Sequence, residues 1–368
     1  MGWELAPMGI FNWNQAMNRA MSKKSLRRWF APASTLLVLT LMSARTVSVA
    51  GDEPPSEPRP SEPPPSESPP SEPSPAPPPP VRQPVVHSDP DRSHGGYDIW
   101  KTHQNGDGTW AVPVNLGPNI NTSVRETSAV ASFDGKWLYF ATRDRPDAIG
   151  RDDIYVSERD GDGWTPAVGL GTAVNTRWEE IGSWPHPDGK SLFFCRRDPI
   201  QRSYDLALTV KIEGEWLEAI GLGRPLATPG EERFPSITAD GRELFFTATW
   251  RAGEGSYDIW QTYRDGHGNW SEPINLGPRI NSRESDYSPG ISPDGKKLFF
   301  ASKREGEVSF DLYLSERKEG GTWQEPVRLP MPVNTRFDEY CPSLDPDGKT
   351  LYFSSDRHLG TVTAGDEE

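Results

Sequence analysis

From residue 97 onward the apolar positions come in short runs, broken by Gly, Asp and Pro, and the runs recur. Five segments align almost without gaps. Each opens on an aromatic or acidic residue, then Asp and an apolar pair: YDIW from Tyr97, DDIY from Asp152, YDLA from Tyr204, YDIW from Tyr257 and FDLY from Phe310. Each continues to a tryptophan: Trp110, Trp164, Trp216, Trp270 or Trp323. Each then reaches Asp-Gly and an apolar run, as in FDGKWLYFA, PDGKSLFFC and PDGKTLYFS. The Asp of that dipeptide stands at 134, 188, 240, 294 and 347, so the spacings are 54, 52, 54 and 53 residues. A fixed period of this length marks a solenoid, an array or a propeller.

The local pattern chooses among these. Every unit offers four short strand-type runs with Gly-rich turns between them, and no stretch of 97–357 sustains a helical period. Asn/Asp-Gly turns supply the positive φ of tight hairpins. Four antiparallel strands per unit make a propeller blade. Let A be the strand before Asp-Gly, B the strand after it, C the strand after the YD pair and D the Trp strand. The repeat region opens with C and D and closes with A and B, with four complete sets between. The expected fold is therefore all-β: a five-bladed β-propeller of four-stranded antiparallel blades. Its ring is closed by two N-terminal and two C-terminal strands, which removes exposed sheet edges.

The segments SPDGKKLFFASKR and DPDGKTLYFSSDR, together with YDIW and FDLY, resemble the WD-like propeller repeat of TolB, Tricorn and related bacterial proteins. The resemblance covers about 260 residues and recurs five times. It implies propellers that bind proteins or peptides through one face or the central channel.

Aligned columns separate scaffold from candidate site. The Asp of the YD pair, the five Trp and the arginines after strand B (Arg143, Arg197, Arg304 and Arg357, with Arg251 offset in the third blade) recur, so they are expected to pair and pack blade against blade. Asn121, Asn175, Asn281 and Asn334 recur with Ala227 in the third unit, and a repeated Asn at a turn serves backbone chemistry. One acidic column has two readings. Glu126, Glu180, Glu232, Asp286 and Glu339 open strand A. Five carboxylates at one channel mouth would raise one another's pKa and attract a cation or a basic peptide. Alternatively each caps local amides or pairs with a repeat arginine.

Departures from the repeat mark further candidates. Trp184 and His186 share the acids' parity along an extended strand, at positions where other blades mostly carry small or polar residues. Trp178 and Phe337 precede their acids by two residues. Aromatic rings beside carboxylates could stack on a sugar or grip a peptide. Trp184 could equally plug a narrow channel. Catalytic signals are weak. No Gly-x-Ser-x-Gly elbow or His-Glu-x-x-His helix occurs. The acids are repeats rather than a differentiated pair, although some five-bladed propellers are glycosidases with inner-strand acids.

Composition adds the setting. Residues 1–50 hold one acid, a basic cluster from Lys23 to Arg28 and the apolar run Ala31–Ala44, which reads as an export signal cleavable after Ala50, with Met21 the more ordinary start. Residues 51–90 hold 17 of the 38 prolines and read as a disordered, extended tether. The propeller is expected over 91–357, followed by an acidic tail, 358–368. A net charge of -14 excludes nucleic acid as the main partner. Two cysteines exclude a disulfide scaffold or a Cys-rich metal site. The expectation is an exported, monomeric, non-catalytic module of the periplasm, cell envelope or outside medium. It would bind an envelope protein, peptide or glycan at the channel mouth without a cofactor, a cation at the acidic ring aside. It would meet a membrane only through an uncleaved signal. The alternatives are a five-bladed glycoside hydrolase using two of the ring acids, and a structural surface protein.

Overall fold

The computed structural model describes residues 96–358, apart from 198–199, 201, 251–252 and 307. The expected export signal, tether and acidic tail beyond 358, and Arg251, lie outside the described residues.

The fold is an all-β, five-bladed propeller. The inner strands are Arg125–Ala131, Glu180–Pro185, Glu232–Ile237, Asp286–Ile291 and Glu339–Leu344. Each touches the next, and the fifth touches the first, so they form a closed ring about an axis. Strand B follows by a hairpin at each Asp-Gly: Trp137–Arg143, Ser191–Arg197, Glu243–Ala248, Lys297–Ser302 and Thr350–Ser355. Strand C pairs outside it: Asp152–Asp160, Tyr204–Ile212, Asp258–Tyr263, Asp311–Glu316 and, for the fifth blade, Asp98–His103. That fifth blade combines both ends of the repeat region. Asp98–His103 pairs antiparallel with Thr350–Ser355, from Asp98 opposite Ser355 to His103 opposite Thr350.

The outer strand is shorter than expected. It has two residues in every blade, for example Val114–Asn115 and Ile274–Asn275, and the Trp lies before it, at a bridge to the far end of strand C. In four blades a proline (Pro113, Pro166, Pro273 or Pro326) follows the Trp, and a residue without an N–H cannot continue the ladder.

The tryptophans do join blades. Each packs its ring against a strand-B aromatic of the neighbouring blade: Trp110 on Phe299, Trp164 on Tyr352, Trp216 on Tyr139, Trp270 on Phe193 and Trp323 on Phe245, at 6.0–6.4 Å between centroids. Such contacts contribute roughly 0.5–1.5 kcal/mol each beyond buried area. The asparagine column makes a second joint. Asn121, Asn175, Asn281 and Asn334 accept from the strand-C amides of Ile99, Ile154, Ile259 and Leu312 at 2.8–2.9 Å. They donate to the carbonyls of the same residues at 2.9–3.0 Å. Each asparagine thus ties the connector entering one blade to the blade before it.

Candidate binding site at the channel mouth

Each inner strand contains the same irregularity. Two residues after the ring acid the backbone turns left-handed, at Ser128 (φ 61), Gly182 (φ 61), Phe234 (φ 51), Ser288 (φ 52) and Cys341 (φ 52). The pairing with strand B shifts register there in all five blades. This is a β-bulge, and it re-aims every side chain beyond it. Four of the five residues are not glycine, so the surrounding ring must hold the strain. Gly182 could not be larger, because a Cβ would stand 2.8 Å from the Phe234 ring.

Of the two readings of the acid column, the structure has the second: each acid is caged inside its own blade. All five acids have zero exposure. Each accepts hydrogen bonds from the Thr or Ser four residues earlier: Thr122 on Glu126 (hydroxyl 2.6 Å), Thr176 on Glu180 (2.7 Å), Thr228 on Glu232, Ser282 on Asp286 (2.9 Å) and Thr335 on Glu339 (2.7 Å). An arginine at the end of strand B completes four of them: Arg145 on Glu126 (3.3 Å), Arg196 on Glu180 (3.0 Å), Arg304 on Asp286 (2.7 Å) and Arg357 on Glu339 (2.9 Å). The same guanidinium groups reach the connector carbonyls of Ile120, Val174, Ile280 and Val333. The recurring arginines therefore serve the ring acids inside one blade. They do not pair with the Asp of the YD column, which caps nearby groups instead: Asp98 accepts from Asn115, Asp153 from the amides of Ile149 and Gly150. Arg143 and Arg197, expected in the arginine column, pair with Asp152 and Glu179.

Burial pushes the carboxyl groups of Glu126, Glu180 and Glu339 up, against the pull of these donors. Glu232 has Trp250 in the arginine's place, with its indole N–H donating at 2.6 Å. Burial, helped by the nearby Asp205 charge, pushes Glu232 to about 7. Separately caged carboxylates make no shared cation site, and among the described residues no group of three or more His, Cys, Asp or Glu could hold a metal ion. None of the five carboxyl groups reaches solvent.

The other predicted residues fall in three places. Trp184 sits on the axis. It lines a cavity of about 20 Å3 with Ser128, Val130, Phe234, Cys341 and neighbours, and a second of about 10 Å3 on its far side. Trp184 and Val130 line both, so together they close the channel. His186 lies at the other end of the inner strand from Glu180, roughly 20 Å away at 3.3 Å per residue. It stands in the Asp-Gly turn, against Asp188 (3.1 Å) and Phe193. It belongs to the opposite face and does not join the acids. Trp178 and Phe337 are on the acids' face, half-buried on the connectors, each beneath the preceding arginine (Arg177 at 4.9 Å, Arg336 at 5.1 Å).

The sequence reading missed the main feature of that face. An arc of aromatic rings and arginines surrounds the closed mouth, from Tyr204 of the second blade round through the fifth to Arg125 of the first. Tyr97 meets Tyr340 edge-on at 4.8 Å, with Arg125 over Tyr97 at 4.7 Å. Tyr287 contacts Phe234 (4.9 Å), Tyr257 (5.0 Å) and Phe310 (6.0 Å). Arg233 lies 3.9 Å over the Tyr204 ring and donates to the Tyr287 hydroxyl at 3.1 Å. Carboxylates fix the remaining hydroxyls: Tyr97 donates to Asp338 (2.7 Å), Tyr257 to Glu231 (2.8 Å) and Tyr204 to Glu179. Tyr97, Tyr257, Tyr287, Phe310, Arg125 and Arg233 are half-buried. Such a surface is rigid, amphipathic and pre-organised. The clue was the residue before each YD-column Asp, aromatic in four units of five.

No family model matches the chain, and no curated protein matches it. Among solved structures it is similar to a protein described as TolB from Agrobacterium tumefaciens, at 16% identity and TM-score 0.42, covering 72% of this chain and 98% of that one. TolB from Acinetobacter baumannii is 13% identical at TM-score 0.42, over 72% of this chain and 65% of that one. An alpha-L-arabinofuranosidase from Lactobacillus brevis is 14% identical at TM-score 0.39, over 64% of this chain and 94% of that one.

Proposed function

We propose that this is an exported, non-catalytic binding module that captures a protein or peptide on the aromatic–arginine collar. The observation that carries the reading is the collar itself, set over an axis that Trp184 closes. A cavity of about 20 Å3 holds no more than a water. A ligand at the mouth must therefore bind across the surface. Tyr and Arg dominate the energetic centres of protein interfaces, because they bury large area with few rotatable bonds to freeze. Here carboxylates and neighbouring rings hold them in place before binding, which lowers the ordering cost. Export rests on the basic-then-apolar segment before residue 51 and the proline-rich stretch after it.

The test is selection of binding peptides from a displayed library on the whole protein, followed by variants. Arg125→Gln and Tyr257→Ala should weaken the selected peptides by at least about tenfold, while His186→Ala, on the other face, should leave them unchanged. Peptides that prefer the His186 face, or ignore both collar variants, would remove the reading. A parallel glycan array shows whether sugars stack on the same rings.

A further inference from the structure

One blade joint lacks the asparagine clamp that the other four share. At the joint after the fifth blade a relay of side chains fills the space beside strand C: Asn115 donates to Asp98 at 2.7 Å, Asn121 donates to Asn115 at 2.9 Å, and Asn121 clamps the Ile99 backbone. The joint after the third blade repeats it with Asp258, Asn275 and Asn281. At the joint between the second and third blades the corresponding residues are Asp205, Gly221 and Ala227. The clamping carboxamide is gone, and the 221 position is glycine as it is after the first blade, at Gly169. A cavity of about 410 Å3 opens there, lined among others by Asp205, Leu206, Gly221, Arg224, Ala227 and Thr228. A Cβ built on Gly221 would meet nothing within 4 Å. Ligand pockets measure about 300–1,000 Å3, so this cavity is in range and the axial one is not.

The lining specifies chemistry. In the four other joints the strand-C amide and carbonyl facing this position are both engaged by an asparagine carboxamide. Their counterpart is Leu206, whose carbonyl accepts from Leu222 at 2.9 Å and keeps a second lone pair on the cavity side. Ala227 offers Leu206 neither an acceptor nor a donor. A primary carboxamide, with its oxygen and N–H on the same side, supplies both. Arg224 lines the same cavity and suits a carboxylate.

We infer that the joint between the second and third blades is a small-ligand site for an amino acid bearing a side-chain carboxamide, with Leu206 reading the carboxamide and Arg224 the carboxylate. The ligand takes the place of the missing asparagine. Glu232 is bonded to the Thr228 of this wall.

Calorimetric titration of the full-length protein with L-glutamine, L-glutamate and L-methionine tests this. L-Glutamine should bind, and the other two should bind at least about tenfold more weakly, because a site built for a carboxamide is left with unpaired polar groups by either analogue. Ala227→Asn, which restores the repeat's own side chain, should abolish binding while the melting temperature is kept or raised. Gly221→Asn, placed where the backbone has room, should do the same if Ala227→Asn does not fold. Arg125→Gln, in the collar, should not alter glutamine binding, so this site and the collar stand or fall separately. Three results would overturn the assignment: no L-glutamine binding at about 10 mM, equal binding of L-glutamate, or full binding by the two asparagine variants.

Discussion

Replacing Glu232 with Gln separates the ring acid that Trp250 caps from the four that pair with an arginine. Its carboxyl is fully buried, accepts from Thr228 and from the Trp250 indole, and is pushed from 4.5 to about 7 chiefly by that burial. A folded-state value above the unfolded one means that the fold holds the proton more tightly. The stabilising contribution of the neutral acid is thus complete below about pH 4.5, declines as pH rises, and is lost above about 7. At about 1.4 kcal/mol per pH unit the whole change is about 3 kcal/mol. For a domain of this size that corresponds to roughly 6–12 °C of melting temperature. Gln keeps an acceptor for the indole and does not titrate. Urea denaturation of both proteins from pH 4.5 to 8, extrapolated linearly to water, isolates the group. The wild type should lose about 3 kcal/mol relative to Glu232→Gln across that range. Parallel profiles would show that Glu232 ionises normally in the fold, and the argument from its burial would fail.

Two further predictions concern the ring. Trp323→Ala removes the contact with Phe245 and the surface under Arg317 (4.5 Å), and should cost about 3–5 kcal/mol in the same denaturation assay. Arg357→Met leaves Glu339 and the carbonyls of Pro332 and Val333 without their donor in a site of zero exposure; about 3–5 kcal/mol should be lost at neutral pH, with part regained on acidification as Glu339 takes up a proton.

Blade number and ring closure were legible because both depend on period and phase, which insertions of one or two residues do not disturb. The tryptophan joints were legible for the same reason. What escaped is local. The bulge has a sequence sign only at Gly182; Ser128, Phe234, Ser288 and Cys341 are ordinary strand residues, so extended-strand parity placed Trp184 and His186 beside the acids when the backbone turns Trp184 onto the axis. The arginine column slipped by two residues in the first blade and one in the second, because Arg145 and Arg196 compete with Arg143 and Arg197 nearby and only geometry tells them apart. Of the collar, only the aromatic residue that opens four of the five repeat segments was visible, as part of the repeat. Its members come from strands A and C of different blades and gather only when the ring closes.

The central claim is that the collar face is where a partner binds. A photoreactive amino acid in place of Tyr257, half-buried in the collar, and another in place of the exposed Tyr263, at the far end of the same strand, test it directly. With a library-selected peptide bound, the account predicts cross-linking from position 257 and none from 263. Cross-linking from 263 alone would contradict it.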